Sequence, residues 1–121
     1  MSTLDSIEIK AFVPAKDYAQ SKAFYHDLGF EMCSTSDEVS YFRHGHCAFL
    51  LQSFYTKEFA ENLMMHLLVK DVESWWQQVQ ASGVIERYGV RVVPPQDQPW
   101  KMRDFILVDP SGVLWRIGQN I

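Results

Sequence analysis

Few side chains in this sequence are spaced for bond-making chemistry. Cys33 and Cys47, the only cysteines, lack metal-ligand spacing, and reduced thiols are expected. His44-Gly45-His46 sets two imidazoles about a glycine, but turn histidines without a third donor read as solvated. His26, beside Asp27, reads as surface. No Ser-His-Asp or Cys-His arrangement is indicated, and there is no glycine-rich phosphate loop. What remains suits holding a guest. Lys10 and Arg116 either make an anion site or are neutralised by Glu8 and Asp104. His66 either bonds or deprotonates a ligand, or is a satisfied wall residue. Phe49, Phe54 and Tyr55 either stack on that ligand or fill a core.

These residues must be positioned by a unit that the sequence contains twice. In the first copy Asp17 is a good N-cap, Gln20 stands where a capping box wants it, and Ala23, Phe24 and Leu28 make an apolar face. Gly29 supplies a left-handed helix stop. Fifty-four residues on, Lys70, Asp71, Gly83 and Val84 match Lys16, Asp17, Gly29 and Phe30. A strand-like run precedes each copy, Ile7 to Val13 and Leu63 to Val69. One supersecondary unit has been repeated.

With 121 residues the chain makes one domain, and neither half alone buries enough surface to stand by itself. Apolar content of 47% marks it as globular. A net charge of −4 without a basic stripe argues against nucleic acid. No apolar run has the length of a membrane span, and the N-terminal residues do not read as a signal peptide, so a cytoplasmic location is expected.

Taken in order, Ile7, Ile9, Ala11 and Val13 should share a strand face beneath the first helix, with Glu8, Lys10 and Phe12 opposite and Pro14 ending the ladder. Strands are expected at 30–34, 39–43 and 47–54, with a polar connector at 55–62. The second half repeats the order with a strand at 63–69, a helix at 72–82, an extended run at 86–93 and a proline-rich loop at 93–100. Strands at 101–108 and 113–118 flank the turn Asp109-Pro110-Ser111-Gly112. Met64, His66 and Leu68 share one face of their strand, and Leu114, Arg116 and Gly118 one face of theirs. Of Trp75 and Trp76, one should face the sheet and the other an edge or a partner chain. The fold class is α+β: two βαβββ units, at about 5–55 and 61–121, forming a curved eight-stranded mixed sheet around a shared cavity with helices outside.

Several of these segments resemble the vicinal-oxygen-chelate superfamily of glyoxalases, extradiol dioxygenases, fosfomycin-resistance enzymes and bleomycin-resistance proteins. The likeness lies in Lys16-Asp17, Ser21, Ala23-Phe24-Tyr25 and Leu28-Gly29-Phe30, then Val69-Lys70-Asp71. It continues in Pro99-Trp100-Lys101-Met102-Arg103-Asp104-Phe105 and Asp109-Pro110-Ser111-Gly112-Val113. The resemblance implies a divalent metal held from inward strand positions, and carries those positions to Lys10, Met64, Arg116 and the neighbourhood of Leu50 to Gln52. Deprotonating a lysine of pKa about 10.4 costs about 4–5 kcal/mol at pH 7. A guanidinium cannot ligate, and a thioether suits hard cations poorly.

Family signatures without family ligands resemble the bleomycin-resistance branch, whose dimers hold the antibiotic in interface clefts by aromatic stacking. The resemblance therefore implies metal-free sequestration of a small molecule such as a bleomycin-type antibiotic, by a homodimer without cofactor or catalytic residue, away from nucleic acid and membrane. It adds Trp100 as the aromatic anchor and Arg103 as a contact, beside His66, Lys10, Arg116, Met64, Phe49 and Phe54. Lys101 stands where that family's Pro-Trp motif usually has glycine. The alternatives are a glyoxalase-like lyase or isomerase using His66, Gln52 and a glutamate as ligands, or a binder of another planar or anionic metabolite.

Overall fold

A computed structural model describes residues 3–121. The first half comprises β1 (Phe12–Pro14), α1 (Tyr18–Leu28), β2 (Glu31–Thr35), β3 (Val39–His44), β4 (Cys47–Gln52) and a short helix α2 (Lys57–Asn62). The second comprises β5 (Met64–Leu68), α3 (Val72–Ser82), α4 (Val84–Tyr88), β6 (Val92–Gln98), β7 (Met102–Val108) and β8 (Leu114–Asn120). The α+β architecture holds, as eight strands in two four-stranded mixed sheets ordered β1-β4-β3-β2 and β5-β8-β7-β6. In each sheet the first strand runs parallel to the fourth and the rest are antiparallel.

The repeat is visible in both helices. Tyr18 corresponds to Val72 and Leu28 to Ser82, so the fifty-four-residue offset holds from end to end. Asp17 accepts from the amide of Gln20, and Asp71 from those of Glu73 and Ser74. Gly29 and Gly83 close the helices at φ 121° and 79°.

Three local expectations give way. First, the strand expected from Ile7 reduces to β1, and Ile7 and Ile9 are 95% and 98% exposed. Their side chains find no surface beneath them in the chain. Second, the run at 86–93 begins with α4, started at the left-handed Gly83 and stopped at Gly89 (φ 61°). Third, the proline-rich segment is mostly strand β6. It lies at the sheet edge, paired only with β7, and the register shifts between Val93 and Gln96. Pro94 and Pro95 fall at that irregularity, where a missing amide proton costs no ladder bond.

The core lies where the buried faces of both sheets meet the helices. Phe42, Phe49, Leu51 and Val13 come from the first sheet; Phe105, Leu107, Trp115 and Ile117 from the second. Tyr25 of α1 joins them. Its ring centroid is 4.9 Å from that of Phe49, 5.9 Å from Phe42 and 5.7 Å from Trp115. Its hydroxyl donates to Asp109 Oδ2 at 2.5 Å and accepts from Trp115 Nε1 at 2.9 Å. Burial pushes the Tyr25 hydroxyl well above its ordinary pKa, with the Asp109 charge adding to the rise. The tryptophan pair also divides as the helix geometry requires. Trp76 packs on Phe105 at 5.1 Å, and Trp75 meets His44 of the first half at 4.8 Å.

Two outcomes follow. Tyr25→Phe strips the hydroxyl from a buried carboxylate and a buried indole, so chemical denaturation should show a loss of about 3 kcal/mol; a loss below about 0.5 kcal/mol contradicts the role given to this contact. Lys101 is the one non-glycine residue with positive φ (63°) among those described. Lys101→Gly should relieve that left-handed strain and raise stability by about 0.5–1 kcal/mol, whereas a lower denaturation midpoint would contradict it.

Candidate functional site

Strand alternation places the chemistry on the sheet faces turned away from this core. On the second sheet, register aligns Met64, Leu114 and Val108 in one row, His66, Arg116 and Ile106 in the next, and Leu68, Gly118 and Asp104 in a third. On the first sheet, Phe12, Leu50 and Tyr41 make a row beside Ala48 and Arg43. Tyr25 ties the buried faces to one core, and the mixed faces are the ones turned away from it. Within one chain the crevice between β4 and β5 is a hollow that both halves line.

The second face is built around a carboxylate. Asp104 is 2% exposed. Its Oδ2 accepts from Arg116 Nη1 at 3.0 Å, and its Oδ1 from Gln98 Nε2 at 3.0 Å. Gly118 makes this possible, since a Cβ there would lie 2.7 Å from the Asp104 Cβ. Trp100 lies 54% exposed in the turn closed by the Lys101 amide on the Gln98 carbonyl. The Arg116 guanidinium stands 5.5 Å from the Trp100 ring centroid. The outcome is a half-covered indole on a neutralised, hydrogen-bonded base, with Met64 (56% exposed) and His66 farther along the same face.

On the first face, Lys10 Nζ donates to Glu8 Oε2 at 3.0 Å. Of the two sequence readings for Lys10 and Arg116, pairing with Glu8 and Asp104 is the one found. Glu8 also takes the Tyr41 hydroxyl at 2.6 Å and the Arg43 guanidinium at 3.2 Å.

The remaining site expectations divide. Phe49 is 1% exposed, its ring held among Tyr25, Phe30, Phe42 and Trp115; it is a core residue that only edges the crevice between β4 and β5. His66 lines that crevice, a hollow of about 270 Å³. Phe54, 56% exposed, lies past the end of β4 beside Glu38, Val39 and Gln52. Arg103 is turned the other way. It bonds Glu73 of α3 at 2.6 Å and Asp97 at 3.1 Å, which removes it from the mixed face. Sequence reasoning missed Tyr41, Arg43 and Gln98. The alternation in Val39 to Arg43 marks the face of the first two, but nothing local announces their partner Glu8.

The donor set does not fit a divalent cation. Of the positions carried over from the family, Lys10 is tied to Glu8, Arg116 to Asp104, and Met64 offers only a soft thioether. Among the described residues no three His, Cys, Asp or Glu side chains gather as a ligand set.

Comparison with known proteins agrees with this fold. A bleomycin-binding protein solved in complex with bleomycin superposes with a TM-score of 0.82 at 23% identity, covering 96% of this chain and 100% of that one. The bleomycin-binding protein of Streptomyces verticillus, solved with copper(II)-bleomycin, gives 0.80 at 18% identity over 95% and 97% of the two chains. Lactoylglutathione lyase from Agrobacterium tumefaciens gives 0.66 at 18% identity over 95% of each. At such identities these likenesses establish the fold alone. No curated protein sequence gives a significant match. The family model that does match, over residues 3–117, is that of the Glyoxalase/Bleomycin resistance protein/Dioxygenase superfamily, and the chain belongs to that superfamily.

Proposed function

We propose that this protein binds and sequesters a small molecule of the bleomycin type, without a metal and as a homodimer. The observation that carries the reading is the Trp100 platform. An exposed indole backed by Arg116, itself neutralised by Asp104, offers a stacking surface whose base is held by partly buried hydrogen bonds. Such a site can hold a guest, and its donors suit no Lewis acid. The bleomycin complexes of two structural relatives support the choice of ligand class.

A second copy supplies what one chain lacks. In this reading the cleft forms where the first mixed face of one copy meets the second mixed face of another. The N-terminal segment supports this assembly. Leu4, Ile7 and Ile9 are 97%, 95% and 98% exposed, and covering each is worth about 1.5–3 kcal/mol. The lyase reading needs His66, Gln52 and a glutamate together, yet within one chain His66 and Gln52 line different hollows.

Trp100→Ala should weaken bleomycin binding at least about tenfold, as lost stacking of about 1–3 kcal/mol requires, while leaving the melting temperature in place; unchanged affinity by fluorescence titration removes Trp100 from the site. Ile7→Asp with Ile9→Asp should shift the protein from dimer to monomer in sedimentation, and a dimer that persists at micromolar concentration contradicts the role of the segment.

A further inference from the structure

Glu8 is held in a way that the rest of its segment is not. Leu4, Ile7 and Ile9 touch almost nothing, and residues 3–11 belong to no helix or strand. Glu8 is nevertheless gripped by both carboxylate oxygens. The Tyr41 hydroxyl lies 2.6 Å from Oε1 and 2.9 Å from Oε2. The Arg43 guanidinium reaches Oε1 at 3.2 Å, and Lys10 reaches Oε2 at 3.0 Å. Lys10 Nζ and the Arg43 guanidinium each stand 5.3 Å from the centre of the Tyr41 ring, so two cations and one hydroxyl converge on one carboxylate.

We infer that Tyr41, Arg43 and Lys10 form a carboxylate-binding subsite on the first mixed face, and that Glu8 fills it as a removable stand-in for the carboxylate of a planar ligand. The inference rests on reading the mixed faces as the walls of a ligand cleft.

These features support it. Lys10 and Arg43 bring two positive charges to one carboxylate, with Glu31 as Arg43's neighbour across the strands. The ion pairs are partly open to solvent, with side-chain exposures of 20–35%, and pairs of that kind are weak enough to exchange. The Glu8 carboxyl is held below the usual carboxylate range, first by the Tyr41 hydrogen bond and then by Lys10, which shows the pull on a negative group. Phe12, 48% exposed, and Leu50 stand in the same row as Tyr41 and give a flat apolar body somewhere to lie. A planar aromatic carboxylate satisfies both parts. Glu8 competes from within the chain at an effective concentration of about millimolar, so it acts as a gate on affinity.

The probe is 2-naphthoate, followed by its own fluorescence anisotropy, with 2-naphthylmethanol as the uncharged counterpart. Glu8→Gln should bind naphthoate at least about tenfold more tightly than the unaltered chain. Arg43→Gln should lose saturable binding, and the alcohol should bind none of the three proteins. Equal affinity of Glu8→Gln and the unaltered chain, or equal binding of alcohol and acid, overturns the subsite. A protein that binds bleomycin through Trp100 but ignores naphthoate also overturns it, and leaves the cleft itself standing.

Discussion

The hydrogen bond between Tyr25 and Asp109 joins residues 84 positions apart and makes one body of two repeats. Asp109 is 3% exposed, and burial raises its carboxyl above the ordinary range against the pull of the Tyr25 hydroxyl. Its other oxygen accepts the amides of Ser111 and Val113, which shapes the turn between β7 and β8. Gly112, at φ 95°, completes that turn. Ser111 in turn accepts from the Lys16 amide at 2.9 Å, a second stitch to the first half. Two of the segments that carry the sequence resemblance thus meet in three dimensions: Phe24-Tyr25 on α1 and Asp109 to Gly112 on the turn. These two are conditions of the fold and lie at the core. This is why they identify a superfamily and say little about its ligand.

Fixing the buried faces to one core leaves the other faces to do the work. The second face hides its charge, with Asp104 drawing in both Arg116 and Gln98 beneath an open indole. The first face keeps its charge within reach of solvent. Paired with Asp104, Arg116 does not present an unpaired guanidinium to a guest.

The parts of this arrangement that sequence revealed are those set by local rules. Helix caps at Asp17 and Asp71, closing glycines and strand alternation depend on neighbours a few residues away, and they predicted α3 to the residue. The positions of Met64, His66 and Arg116 on one face follow from the same alternation, whereas Trp100 sits in the turn before β7. Long-range chemistry was hidden. Nothing near Phe49 says that Tyr25 and Trp115 will enclose it, and nothing near Arg103 says that Glu73 will turn it away. Ile7 and Ile9 misled for a related reason. Their alternation is that of a strand, but the surface that would cover them is absent from the chain's own fold.

The central claim is that two copies together hold a guest that neither mixed face nor a metal holds alone. Native mass spectrometry of chelator-treated protein mixed with copper-free bleomycin reads assembly, stoichiometry and metal content in one spectrum. The account predicts a species of two chains with bound, chemically unaltered bleomycin and no added metal mass. Bleomycin carried by single chains, or bound only once a divalent cation is restored to the protein, would contradict it.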